Sequence, residues 1–184
     1  MFKYTKLKRG QINKLLDCFI LGLPALQTAK YTGIHRNTVN RFFKRIRLKI
    51  VKEITKDDKL LKGNIELDEA YFGGRKKGGR GRGSDNKKIV FGILERGGKV
   101  KTIIVNDVSA KTLMKKIITN TDKGCVYYTD KFKSYNSLSR YAKHYKIDHT
   151  KEFRREKHNH INGIEGFWSY AKKFLIKYNG VSKK

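Results

Sequence analysis

The hydrophobic period of this chain changes once along its length, and that change limits it to a helical segment followed by a mixed α/β segment. Up to about residue 50 the apolar residues recur at helical spacing: Ile12, Leu15, Leu16, Phe19 and Ile20, then Val39, Phe42, Phe43 and Ile46. From Ile65 onward short apolar or alternating runs take over, at 65–72, 89–94, 100–105 and 125–129. Runs of that length predict strands. Between the third and fourth lies a helical stretch with Ser109 as N-cap and Leu113, Met114, Ile117 and Ile118 on its inner face. A last helix is predicted over 162–178, with an apolar stripe of Ile164, Phe167, Trp168, Ala171, Phe174, Leu175 and Tyr178. The stretch before it receives no element. Strand, strand, strand, helix, strand, helix is the order of a mixed α/β layer fold.

Charge narrows the function. Lys and Arg number 44 against 16 Asp and Glu, a formal +28 over 184 residues. Residues 1–62 carry 16 cations against 4 acids and residues 63–184 carry 28 against 12, so both halves are strongly basic. A folded chain with 38% apolar residues and such a charge is suited to a polyanion, which for a globular protein means nucleic acid. A disordered basic tail and an enzyme for small neutral substrates are both disfavoured. The longest apolar stretch, at 19–26, is far short of the ~20 residues of a membrane span, and the basic start at Met1 lacks the apolar segment of a signal peptide. A cytosolic protein is expected. Cys18 and Cys125 belong to no C-x-x-C pair and read as reduced, buried residues. Residues 51–63 are the expected linker, separating an all-α domain over 1–50 from a second domain over 64–184.

Within the first domain, Ala29, Gly33 and Val39 have the spacing of a helix-turn-helix. It needs a small residue where two helices cross, a glycine for a positive-φ turn and a β-branched anchor in the second helix. That second helix, expected over 35–49, presents His35, Arg36, Asn37, Asn40 and Arg41 outward and is suited to a DNA major groove. A second basic feature is the glycine-rich run at 73–83. It lacks the Gly-Lys-Ser/Thr ending of a nucleotide-binding loop, so no nucleotide cofactor is implied. Its five cations, Arg75, Lys76, Lys77, Arg80 and Arg82, suit a loop that follows a DNA backbone.

The second domain places acids where strands would bury them. Asp68 lies inside one predicted strand and Asp130 ends another, and a buried carboxylate needs a cation or hydrogen-bond donors. Glu165 opens the last helix. Three carboxylates from two strands and a helix can hold two Mg²⁺ ions for phosphodiester chemistry. Each acid also has an ordinary structural use: Asp130 can start a turn, and Glu165 can form a capping box with Asn162. Period-two alternation sets Glu66 on the same face as Asp68 and Glu69 on the other, which leaves the choice between Glu66 and Asp68 open. Lys172 follows Glu165 by two helical turns and shares its face. His158 and His160 have no partner at zinc-site spacing and read as a polar loop.

Five segments together resemble the ISXO-like insertion-sequence transposases of the DDE class. They are Glu-Leu-Asp-Glu-Ala-Tyr-Phe-Gly-Gly at 66–74, Val-Phe-Gly-Ile-Leu-Glu-Arg at 90–96, Asp-Val-Ser-Ala-Lys-Thr-Leu at 107–113, Tyr-Thr-Asp-Lys-Phe-Lys-Ser-Tyr at 128–135, and His-Ile-Asn-Gly-Ile-Glu-Gly-Phe-Trp-Ser-Tyr-Ala-Lys-Lys at 160–173. The resemblance covers about residues 60–181. It implies an RNase H-like catalytic core with Asp68, Asp130 and Glu165 as metal ligands and Lys172 as the basic residue after the glutamate. Seven residues after Asn162 comes Ser169, so the spacing favours Glu165 over Asn162.

The implied activity is metal-dependent cleavage at the ends of an insertion element and strand transfer into target DNA. Mg²⁺, with Mn²⁺ as a substitute, would serve as cofactor, as two ions per active site. The partners would be terminal repeats, target DNA and at least one further copy of the chain, in a bacterial or archaeal cytosol. Two other readings use the same residues: an RNase H-like nuclease that cuts without joining, and a non-catalytic repressor derived from a transposase.

Overall fold

The computed structural model describes residues 6–56, 59–73, 87–147 and 160–178. The chain divides into two compact units, Met1–Asp58 and Lys59–Lys184.

The first unit holds three helices, α1 (Arg9–Ile20), α2 (Ala25–Thr32) and α3 (Arg36–Lys56). Their inner faces form one core of Leu15, Val39, Phe42, Phe43 and Ile46, which belong to the 3.6-residue recurrence that marks the helices, joined by Cys18 and Ile34. Gly33 ends α2 in the left-handed region at φ 71°, with its N–H donating to the Ala29 carbonyl. His35 is not the first residue of α3. It precedes the helix, its carbonyl accepts from Thr38 and Val39, and its Nδ1 accepts the Asn37 N–H at 3.3 Å. At the other end α3 runs past the expected boundary, so residues 51–56 of the expected linker are helix. No glycine or proline interrupts 47–56, and Glu53 pairs with Lys56 at 2.8 Å one turn on.

The second unit is built on five strands: β1 (Asn64–Phe72), β2 (Lys88–Glu95), β3 (Val100–Val105), β4 (Val126–Thr129) and β5 (His144–Lys146). Their order across the sheet is β3-β2-β1-β4-β5. The first three pair antiparallel, whereas β4 pairs parallel to β1 and β5 parallel to β4. Helix α4 (Ala110–Asn120) makes the crossover from β3 to β4. Ser109 caps it by accepting the Thr112 N–H, and Asp107 accepts the Ser109 N–H at 2.9 Å. A 3₁₀ turn (Lys133–Arg140) and β5 occupy the stretch to which the sequence pattern assigns no element, and α5 (Asn162–Ile176) ends the described fold.

Both faces of the sheet are covered, which explains why β2 reads as an unbroken apolar run. On one face Ile65, Leu67, Phe91 and Ile93 pack with Leu113 and Ile117 of α4 and with Tyr135 and Leu138 of the 3₁₀ turn. On the other, Ala70, Phe72, Val90 and Leu94 pack under Ile164 and Trp168 of α5. Three apolar stripes are wider in sequence than in the fold, that of α1 through Ile20, which is 80% exposed. Ile118 of α4 is 47% exposed, and Phe174 and Leu175 on the last turns of α5 are 40% and 41% exposed. Both Cys18 and Cys125 are free and buried. Among the described residues, no helix is long and apolar enough to cross a membrane.

Candidate active site

Strand register brings the first two acids together. The parallel pairing sets Asn64 against Val126, Ile65 against Tyr127 and Glu66 against Tyr128. Continued by two residues, the same register puts Asp68 level with Asp130, just past the end of β4 and on the same side of the sheet. The carboxyl ends of parallel strands are where α/β sheets expose groups for chemistry.

The Asp68 carboxyl is pushed up to about 7. Burial is the largest cause and the charge of Glu69 the next, while Asp130 and Glu165 push the same way. Glu165, in the first turn of α5, is thus within electrostatic reach of Asp68. Asp130 also serves a structural purpose, since its Oδ1 accepts the Phe132 N–H at 2.9 Å and turns the chain after β4.

The neighbours of Asp68 on β1 are engaged elsewhere. Glu66 is 1% exposed; its Oε1 accepts Arg96 Nε at 2.8 Å and its Oε2 accepts the Ile164 N–H at 2.9 Å. Glu69, on the opposite face, accepts the Tyr135 hydroxyl at 2.9 Å. Burial holds that phenol well above its ordinary pKa, with the Glu69 charge adding to the effect, so it remains a donor. Of the three acids on β1, Asp68 is the one set beside other strand and helix carboxylates.

The capping box with Asn162 that is the ordinary structural alternative for Glu165 does not form. Helix α5 begins at Asn162, so its cap position falls on Ile161, which has no polar side chain, and the Glu165 N–H bonds the Ile161 carbonyl. Lys172 lies exposed on the same helix. His160 stands 3.7 Å from Glu66 with Nδ1 buried and unpartnered, and His158 lies outside the described residues. The basic loop residues Arg75, Lys76, Lys77, Arg80 and Arg82 lie outside them too. In the first unit His35, Arg36, Asn37, Asn40 and Arg41 are all exposed.

The donor chemistry suits a hard divalent cation: three carboxylates, one of which, Asp68, has its pKa raised by burial and by the negative charges around it. Among the described residues no three of His, Cys, Asp or Glu are already gathered closely enough to hold an ion.

A five-stranded sheet of order β3-β2-β1-β4-β5, an antiparallel meander of β1, β2 and β3 extended by β4 and β5 parallel to the central β1, with helices on both faces, is an RNase H-like core. The model of the ISXO2-like transposase domain matches residues 60–184, and the chain belongs to that family. An uncharacterized transposase-like protein of Haemophilus influenzae is 41% identical over 88 residues, 47% of this chain and 70% of that protein. Among solved structures, the Mos1 transposase paired-end complex with left transposon end aligns over 100% of this chain and 74% of that one, at 11% identity and a TM-score of 0.38. The Mos1 Strand Transfer Complex aligns over 98% and 92%, at 10% identity and a TM-score of 0.35.

Proposed function

We infer that this chain cuts DNA at the ends of an insertion element and joins the freed 3′-hydroxyls to target DNA. The observation that carries the reading is the β1–β4 register that sets Asp68 beside Asp130, with Glu165 of α5 near enough for its charge to act on Asp68. Asp68, Asp130 and Glu165 hold the divalent ions. Those ions would supply the Lewis acidity that activates a water or 3′-hydroxyl and steadies the leaving oxygen. Lys172, on the solvent side of α5, contacts DNA phosphate beside the acids.

The first unit reads the element's ends. Gly33 turns the chain between α2 and α3, and Arg36, Asn37, Asn40 and Arg41 form an exposed polar row on the first turns of α3, with His35 at its cap. The cations at 75–82 follow the DNA backbone. Joining two ends requires two active sites, so the working form holds at least two copies on DNA.

The test is a Mg²⁺ or Mn²⁺ cleavage and strand-transfer assay on DNA carrying the element's own ends, with the wild type beside Asp130→Asn and Lys172→Ala. Metal-dependent joined product, absent in Asp130→Asn and reduced in Lys172→Ala at unchanged bulk DNA affinity, is expected. Cleavage without joining would reassign the chain as a nuclease. Tight binding without cutting under either metal would make it a repressor.

A further inference from the structure

The Glu66 carboxylate faces the same side of β1 as Asp68 and is fully engaged inside the protein. Besides its bonds to Arg96 and to the Ile164 N–H, it lies where a Cβ on Gly163 would stand 2.8 Å from Oε2. Arg96, the residue after β2, lies over the Tyr128 ring with Cζ 3.7 Å from the centroid, and it donates to the His160 carbonyl. One carboxylate and one guanidinium thus connect β1, the end of β2 and β4 to the start of α5.

That start has no cap of its own. Ile161 offers no side-chain acceptor, so Glu66 reaches across from the strand to the amide of the third helical residue and adds a negative charge at the positive end of the helix. The residue after Ile164 is Glu165. Burying an ion pair is a poor route to stability, because apolar residues of similar volume often do as well or better. What a buried, directional pair supplies here is one defined seat for the helix end.

Resting on the reading above, we propose that Glu66 is a positioning residue of the DNA-cutting site. By holding the Ile164 amide and, through Arg96, the His160 carbonyl, it sets the height and roll of α5 at which Glu165 meets Asp68 and Asp130. Glu66 acts through the helix and touches no substrate.

The test compares full-length wild type, Glu66→Gln and Gly163→Ala, the second disturbing the same contact from the helix side. Four readouts are taken: thermal melting with acrylamide quenching of Trp168, the sole tryptophan; affinity for end DNA; Mn²⁺ binding to the protein alone by electron paramagnetic resonance; and single-turnover cleavage. Both variants are expected to melt cooperatively, keep Trp168 shielded and bind DNA within about twofold of wild type. Cleavage should fall about 100-fold, the effect of a misplacement near 1 Å, and half-saturating Mn²⁺ should rise severalfold. Wild-type Mn²⁺ affinity and cleavage in both variants would overturn the proposal. So would losses that follow melting and recover on cooling, which mark a purely structural residue. A wild type that neither binds Mn²⁺ nor cuts would overturn the transposase reading itself.

Discussion

Cζ2 of Trp168 lies 2.5 Å from the point that a Cβ on Gly92 would occupy. Gly92 pairs with Asp68 across the β1–β2 ladder, so the missing side chain is what lets α5 settle onto β2 beside the first acid. Ile164 Cδ1 stands 2.8 Å from the same point, which places the first two turns of the helix over one glycine.

Gly92→Ala should therefore act by crowding, since the backbone there needs no positive φ. A loss of about 1–3 kcal/mol is expected from overpacking, accompanied by a change in Trp168 emission and reduced cleavage. Thermal melting and fluorescence of the variant check this; an unchanged spectrum at unchanged stability would show that the helix is not seated on Gly92.

Gly33→Ala makes the opposite kind of change. Nothing lies within 4 Å of the added Cβ, but the residue sits at φ +71°, so the whole cost is backbone strain of about 1–2 kcal/mol. Gly33→Asn should lose less, because asparagine tolerates that region. Equilibrium denaturation of residues 1–184 with each substitution tests the order Gly, Asn, Ala.

His144 should make the protein acid-sensitive. Burial, with the nearby Lys146 charge second, pushes its pKa down to about 4. Nε2 lies 2.9 Å from Thr129 Oγ1, whose own proton goes to the Asp130 carbonyl, and Nδ1 lies 3.2 Å from Ser139 Oγ. The neutral ring is thus bonded at both nitrogens. A folded pKa below the unfolded value near 6.5 means that this contribution is complete above pH 6.5 and is lost as pH falls toward 4. Solvent screens the half-exposed ring, so the loss should stay at about 1–2 kcal/mol. Melting of wild type and His144→Gln at pH 7 and pH 4.5 should converge on acidification; parallel curves would exclude a role for this ring.

Arg36 and Arg41 should carry part of the salt dependence of DNA binding. If each neutralises a phosphate, replacing both with alanine flattens the slope of log affinity against log salt by about 0.9 per charge. Titrations between low and moderate salt measure it. An unchanged slope with relaxed sequence preference would instead assign the two arginines to base edges.

Much of this was legible from local pattern. Helical spacing at 12–20 and 39–46, the runs at 65–72, 89–94 and 100–105, the Ser109 cap and the Gly33 turn each depend on residues a few positions apart, and each appears in the fold. The boundary of α3 was not legible, because exposed Leu48, Ile50, Val51 and Ile54 extend the helix without the one-sided burial that marks its earlier turns. Nor was β5, three residues long and defined by pairing with β4 rather than by its own pattern.

The acids divide the same way. Alternation along β1 assigns Glu66 and Asp68 to one face and Glu69 to the other, and nothing nearer in sequence separates the first two. What separates them are contacts across 30 residues to Arg96 and 98 residues to Ile164, which engage Glu66, and a parallel register that sets Asp68 beside Asp130. Covalent neighbours dictate period, caps and turns because those interactions close within a turn or a strand. Which carboxylate is occupied by protein partners and which lies among other acids depends on strands and a helix meeting in space, and that juxtaposition exists only once the sheet has assembled and α5 has docked.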